Sequence, residues 1–136
     1  KLPNVEVING LISDEEMDKL HNRCDCYVSF SKSEGVGMGP VEAALRNKPV
    51  IITDFGGSPE YVKTPYLINC ELQELERDDF LFKKGMIWGK PNPGQLLKFM
   101  RDAYDKKLRY MNHDHTKKLV GKKNILQEFL LNVIGS

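Results

Sequence analysis

Residues 33–54 constrain the fold most, because they place a glycine-rich loop directly before an apolar helix pattern and a β-branched run. The loop reads Ser-Glu-Gly-Val-Gly-Met-Gly and is followed by a proline. Glycine lets a backbone adopt positive φ values and approach a ligand closely. Proline is favoured at the first helical position, so we predict a helix with Gly39 as N-cap, Pro40 at N1 and Glu42 at N3.

Residues with known conformational preferences also indicate where this helix ends and where the next strand begins. Asn47 tolerates the left-handed conformation that often follows a helix, and Pro49 prevents the helix from continuing. Val50–Ile52 is short, β-branched and bounded by turn residues, which predicts a buried parallel strand. We predict a turn over Asp54–Pro59 and then a short helical piece.

Two strands and a helix are predicted before the loop. Val5–Ile8 is predicted as the first strand and Cys26–Phe30 as the second. Between them, Ser13 and Glu16 have the spacing of a capping box, for a helix that continues to about Arg23. Open α/β sheets bind ligands at the carboxyl ends of parallel strands, so the loop after the second strand is a candidate site.

Short strands are predicted downstream at Tyr66–Asn69 and Gly85–Trp88. Asn92 and the proline after it predict the start of a further helix, which continues to about Lys107. Residues 71–84 are acidic in their first half and are predicted to be a surface insertion. A C-terminal helix is predicted over residues 114–134, with an apolar side.

The glycine-rich loop carries both anion-binding and hydroxyl-binding chemistry. A helix N-terminus with free N–H groups favours an anion such as phosphate, because the helix dipole adds about half a positive charge there. Glu34 and Glu42 flank the loop, and carboxylates repel phosphate. We therefore expect the two acids to face a neutral group rich in hydroxyls. Together these features predict a site for a nucleotide sugar.

The same residues resemble a known family. Seven residues separate Glu34 from Glu42, and E-G-V-G-M-G-P-V-E-A-A-L-R-N-K-P-V-I resembles the E-x7-E signature of retaining GT-B glycosyltransferases, in particular family 4. Residues 3–31 resemble the strand, helix and strand that lead into that loop, and residues 56–60 resemble the G-G-x-P-E turn of the family. The usual signature has its proline one place earlier than Pro40.

The resemblance implies an α/β fold with a Rossmann-like parallel sheet and flanking helices. Residues 1–136 are then expected to be an incomplete C-terminal, donor-binding domain of a GT-B fold. The N-terminal acceptor domain of the same enzyme and the start of the donor domain are expected to lie outside this chain. In those outside segments the family has an Arg and a Lys that bind the diphosphate. We therefore expect the isolated chain to fold but not to catalyse.

The resemblance also implies roles for individual residues. The parent enzyme is expected to transfer a sugar from a nucleoside-diphosphate sugar to an acceptor, with retention at the anomeric carbon, without a metal and without a cofactor. Glu34 is expected to be catalytic, near the donor sugar, and Glu42 to bind the ribose. The remaining residues expected to bind the donor are Gly35, Gly37, Met38, Gly39 and Gly57.

Composition narrows the class of partner. A formal net charge of +1 argues against a nucleic-acid surface. No apolar run approaches the ~20 residues needed to span a bilayer. The three cysteines have no framework spacing, which predicts free thiols in a reducing, cytoplasmic compartment. A peripheral membrane association, if present, is expected to reside in the acceptor domain.

Other interpretations remain open from the sequence. Glu42 could only favour the helix start, Glu34 could be a solvated loop acid, and Gly57 could be part of a plain turn. The chain could be a stand-alone nucleotide-binding or regulatory module. It could also be a flavodoxin-like interaction domain, although only Asp54 lies where such a domain carries its acidic groups. His21 with two nearby cysteines is a weak candidate for zinc.

Overall fold

A computed structural model of the protein describes residues 4–121, which form helices and strands in alternation and then an antiparallel hairpin. The elements in chain order are α1 (Asp14–Arg23), β1 (Tyr27–Ser29), α2 (Met38–Leu45), β2 (Val50–Thr53), α3 (Ser58–Tyr61), β3 (Leu67–Ile68), β4 (Cys70–Glu74), β5 (Ile87–Pro91), α4 (Pro93–Tyr104) and α5 (Asp114–Val120).

The first three strands form a parallel sheet in the order β1-β2-β3. Tyr27 is paired with Val50 in the register of β1 and β2, and Ile52 with Leu67 in that of β2 and β3. Parallel neighbours need a crossover connection, and α2 and α3 provide it here. The prediction of an α/β fold with a Rossmann-like parallel sheet and flanking helices is confirmed.

The core lies between β2 and α2. All four residues of β2 are buried, as expected of a central strand that is covered on both faces. One face of α2 packs against it, and the buried cluster contains Val41, Ala43, Ala44, Val50, Ile52 and Val62. The aromatic ring of Tyr27 packs against this cluster from β1. The core therefore holds the start of α2 in place over the end of the sheet.

Several predicted helix ends are confirmed. The capping box at α1 is present, because Ser13 Oγ accepts from the Glu16 amide and the Glu16 carboxylate accepts from the Ser13 amide. Asn47 follows α2 with a φ of 57°, as a left-handed residue after a helix. Asn92 caps α4, and its side chain accepts from the Gln95 amide.

The prediction of a strand over Val5–Ile8 is wrong. These residues form no strand, and Val7 is 72% exposed. An extended segment becomes a strand only when a neighbour accepts and donates its hydrogen bonds. Within residues 4–121, the parallel sheet contains β1, β2 and β3 alone, so this segment has no partner there.

The predicted start of α2 is two residues too late. The N-cap is Gly37, which has a φ of 71°, and Glu42 is consequently the fifth helical residue rather than N3. Gly39 lies inside the first turn, where it allows a close approach of Tyr27. Pro40 is tolerated at the third position, because the first amides of a helix have no intrahelical acceptor.

The acidic segment after β3 is partly a strand. β4 pairs with β5 in an antiparallel hairpin, with Gln73 opposite Trp88, and the predicted strand at Gly85–Trp88 is shifted to Ile87–Pro91. That residues 71–84 are an insertion remains a prediction. α4 ends at Tyr104 rather than near Lys107.

The helix predicted over residues 114–134 does begin at Asp114. Its predicted continuation over residues 122–134 lies outside the described residues. No helix within residues 4–121 is long and apolar enough to cross a membrane.

Candidate functional site

The candidate site lies where two loops leave the parallel sheet side by side. β1 and β2 are parallel neighbours, so the loop after β1 and the loop after β2 emerge at the same edge. The Gly57 amide in the second loop donates a hydrogen bond of 2.9 Å to the carbonyl oxygen of Glu34 in the first. The loop predicted to bind a ligand is therefore fixed by the Gly-Gly turn that follows the next strand.

Glycines allow the close contact between these loops. A Cβ atom on Gly57 would lie 2.9 Å from the carbonyl carbon of Gly35, and one on Gly56 would lie 2.5 Å from the carbonyl oxygen of Glu34. Gly56 also has a φ of 79°, which side chains rarely adopt. Gly37 packs in the same way against the hydroxyl of Ser58. The two loops therefore form one continuous backbone surface that any side chain at these positions would break.

The first turn of α2 presents free amides at this surface. Val41 is the first residue whose amide bonds within the helix, to the carbonyl oxygen of Gly37. Pro40 has no N–H, and Gly37 provides no side-chain cap. The amides of Met38 and Gly39 are consequently available to an external acceptor. Met38 itself is an exposed residue, 64% accessible to solvent.

Glu42 is held by a residue from another helix. The Nε2 atom of His21, in α1, lies 3.1 Å from Oε2 of Glu42. His21 is 5% exposed, whereas the Glu42 side chain keeps 36% of its surface in solvent. The His21 ring stacks on Tyr27, with ring centroids 6.0 Å apart. One carboxylate oxygen of Glu42 is thus fixed on its buried side, while the carboxylate as a whole remains accessible.

Burial and the negative charges of both Glu34 and Glu42 raise the pKa of Tyr27 above its ordinary value. Charges have this effect only at short range. Contacts support this proximity, because Glu42 and Tyr27 both contact His21. The Glu34 Cγ atom would lie 3.4 Å from a Cβ atom on Gly37, at the start of α2. Glu34 itself is half-buried in the loop.

Three residues at the site were missed by sequence reasoning. His21 occupies an apolar position of α1, four residues after Met17, and a polar side chain at such a position is a signal that could have identified it. Tyr27 gives no such signal, since an aromatic residue is common in a strand. The Ser58 hydroxyl is buried beside Gly37 and has no hydrogen-bond partner within the described part of the chain.

The structure does not bring His21 together with cysteines as metal ligands. His21 faces Glu42, and Cys24, Cys26 and Cys70 are free thiols. Among residues 4–121, no group of three His, Cys, Asp or Glu side chains could hold a metal ion.

The β4–β5 hairpin packs beside the first loop. The Gly89 amide donates a hydrogen bond of 2.8 Å to the carbonyl oxygen of Lys32, and the Lys32 ammonium lies 4.1 Å from the centroid of the Trp88 ring. A cleft of about 430 Å³ lies there, lined in part by Arg77 and Asp79. The hairpin therefore forms a wall next to the candidate site, whereas the sequence predicted a strand at Gly85–Trp88 and only a surface insertion over residues 71–84.

Comparisons with known proteins identify a family for this chain. The sequence model of the family described as Glycosyl transferases group 1 matches residues 2–69, which is half of the chain. The chain is also 29% identical over 120 residues to an uncharacterized glycosyltransferase of Methanocaldococcus jannaschii. That alignment covers 88% of this chain and 27% of the relative, so the chain spans about a quarter of the relative's length. The family match contains both loops and both acids of the candidate site.

Proposed function

This chain belongs to the glycosyl transferases group 1 family, and on that premise we propose that it forms part of the donor-binding domain of a retaining glycosyltransferase of the GT-B type, in family 4. The donor is a nucleoside-diphosphate sugar. The observation that carries the proposal is the hydrogen-bonded pair of loops, with free amides at the start of α2, the Glu34 side chain beside Gly37 and the Glu42 carboxylate held by His21.

The diphosphate of the donor binds at the first turn of α2. The amides of Met38 and Gly39 donate to its oxygens, and the positive end of the helix dipole favours its charge. The glycine contacts between the two loops support this role, because Gly56 and Gly57 let the two backbones pack closely next to these amides. Gly37 supplies the left-handed turn that points the amides outward.

The two carboxylates bind the hydroxyl-rich parts of the donor. Glu42 accepts hydrogen bonds from the ribose, with a partly exposed side chain and one carboxylate oxygen fixed by His21. Glu34 lies nearer the sugar that is transferred. An ionised carboxylate only accepts hydrogen bonds, and hydroxyl groups donate them, so both acids suit a polyol.

Catalysis depends on the charge that develops as the bond to the diphosphate breaks. The loop amides stabilise the negative charge that builds on the leaving group, without a metal ion. Glu34 supports the positive charge that develops at the anomeric carbon. The acceptor hydroxyl attacks from the same face, and the leaving phosphate takes its proton, which gives retention.

The rest of such an enzyme supplies what this chain lacks. Segments outside these 136 residues bind the acceptor and provide part of the binding site for the diphosphate. Loss of one buried charged partner costs about 2 to 5 kcal/mol of binding, and about 1.4 kcal/mol is a factor of ten. Donor binding by the chain alone is therefore weak. We place the enzyme in the cytoplasm, with any membrane association in the acceptor domain.

The proposal is tested by nucleotide binding to the chain. UDP, GDP and ADP are titrated up to about 10 mM and followed by NMR, which detects millimolar affinity. We expect one of them to bind the wild-type chain, and Glu42→Ala to weaken it by about tenfold or more. Glu15→Ala is the matched control, because Glu15 is exposed on α1 and pairs only with Lys19. Equal affinity of the Glu42→Ala and Glu15→Ala chains, or no binding by the wild type, would contradict the proposal.

A further inference from the structure

The Tyr27 hydroxyl has no hydrogen-bond partner among residues 4–121, although its ring is packed in the core. The ring stacks on His21, and these apolar contacts would be met equally well by phenylalanine. Tyr66 differs, since its hydroxyl accepts a hydrogen bond of 3.0 Å from the Arg109 amide. The fold thus uses the hydroxyl of Tyr66 and leaves that of Tyr27 unused.

Gly39 makes room for this unused hydroxyl. A Cβ atom at position 39 would overlap the hydroxyl oxygen of Tyr27 and would lie 2.8 Å from its Cζ atom. Gly39 has no positive φ that would require a glycine. Position 39 therefore requires glycine for steric reasons. The missing side chain leaves room for the hydroxyl of Tyr27 at the first turn of α2.

The hydroxyl remains a hydrogen-bond donor in this position. Burial and the charges of Glu34 and Glu42 raise the pKa of Tyr27, so the phenol keeps its proton at neutral pH. Neither carboxylate is hydrogen bonded to it. The first turn of α2 thus carries a donor at Gly39, with the Glu34 side chain beside Gly37 and Glu42 held by the same His21 that stacks on Tyr27.

We propose that the Tyr27 hydroxyl binds a ring hydroxyl of the nucleotide sugar, on the ribose or on the transferred sugar; this rests on the proposed function. A sugar hydroxyl donates one hydrogen bond and accepts others. Glu34 and Glu42 satisfy only its hydrogen, and Tyr27 provides the O–H that satisfies its lone pairs. The set of two acceptors and one donor matches neighbouring hydroxyls on one ring.

The test compares Tyr27→Phe with the wild-type chain. The nucleotide that binds the wild type and the nucleoside-diphosphate glucose of the same base are each titrated by NMR. Loss of one neutral hydrogen bond is expected to weaken binding about three- to tenfold. The Phe side chain keeps the stacking on His21, so the spectrum of the free protein should retain the wild-type pattern. Tyr104→Phe is the control, since Tyr104 is 87% exposed on α4.

The two ligands distinguish the source of the hydroxyl. Equal weakening for both assigns Tyr27 to the ribose, and weakening for the nucleotide sugar alone assigns it to the transferred sugar. Gly39→Ala, which displaces the hydroxyl, is expected to weaken the same ligand. Wild-type affinity of Tyr27→Phe for both ligands, with Glu42→Ala still impaired, overturns this inference and leaves the proposed function intact. No binding by the wild type overturns both.

Discussion

The imidazole of His21 and the carboxylate of Glu42 meet 3.1 Å apart, although 21 positions separate them in the chain. The contact joins α1 to α2, and the Glu42 side chain keeps 36% of its surface in solvent. It makes His21 a positioning residue for the acid that we assign to the ribose. The orientation of the binding group is thus set by a helix that does not itself touch the ligand.

We predict that His21→Phe weakens nucleotide binding about three- to tenfold, because Glu42 loses the hydrogen bond that fixes it. The Phe ring keeps the stacking on Tyr27, so the free energy of unfolding should change by less than the free energy of nucleotide binding. His21→Gln, whose amide N–H can still reach the carboxylate, should restore most of the affinity. The measurement is the NMR titration of both variants. If the Gln variant binds as poorly as the Phe variant, His21 acts only through the packing of α1.

Gly57→Ala tests the contact between the two loops. The backbone of Gly57 has a φ of −81°, which alanine adopts without strain, so any effect comes from the Cβ atom alone. That atom would lie 2.9 Å from the carbonyl carbon of Gly35. We expect a loss of about 1 to 3 kcal/mol in the free energy of unfolding, measured with denaturant, and loss of nucleotide binding.

The control for this substitution is Gly35→Ala. A Cβ atom on Gly35 meets nothing within 4 Å, so its effect on stability should stay within about 0.5 kcal/mol. Similar stability losses in both variants would mean that the interlock of the loops is not what the glycine at position 57 provides.

The capping box of α1 predicts a pH dependence of stability. Hydrogen bonds from the Ser13 amide and hydroxyl lower the pKa of Glu16 below its ordinary value of 4.5. A lowered pKa in the folded state stabilises the protein above the unfolded value, and this contribution is lost as the pH falls through the folded value. The wild type should therefore have a higher Tm than Glu16→Gln at about pH 7, and the difference in Tm should shrink as the pH falls below 4.5. A difference that is independent of pH would contradict this assignment.

Local signals in the sequence predict much of the fold. The buried strand β2, the caps at Ser13 and Asn92 and the left-handed Asn47 each depend on a few neighbouring residues. These features can be predicted from short windows of sequence, because caps and turns satisfy backbone groups within one helical turn. The order of the acids and glycines in residues 34–57 likewise predicts which loops form the site.

The remaining features depend on distant parts of the chain. α2 starts after Gly37, which has a φ of 71°, and Gly39 instead contacts Tyr27 on β1. Val5–Ile8 has the composition of a strand and lacks a neighbour within residues 4–121. The pairing of β4 with β5 joins residues on either side of a long connecting segment, residues 75–86. No local pattern specifies these pairings.

The most direct test maps the amide chemical-shift changes in the chain on addition of the nucleoside diphosphate that binds it. We predict that the largest changes fall on Met38, Gly39 and Gly57, where free amides and the interlocked loops would meet the diphosphate. Changes confined to the cleft beside the β4–β5 hairpin, around Lys32 and Trp88, would show that the ligand binds elsewhere and would contradict the assignment of the donor site.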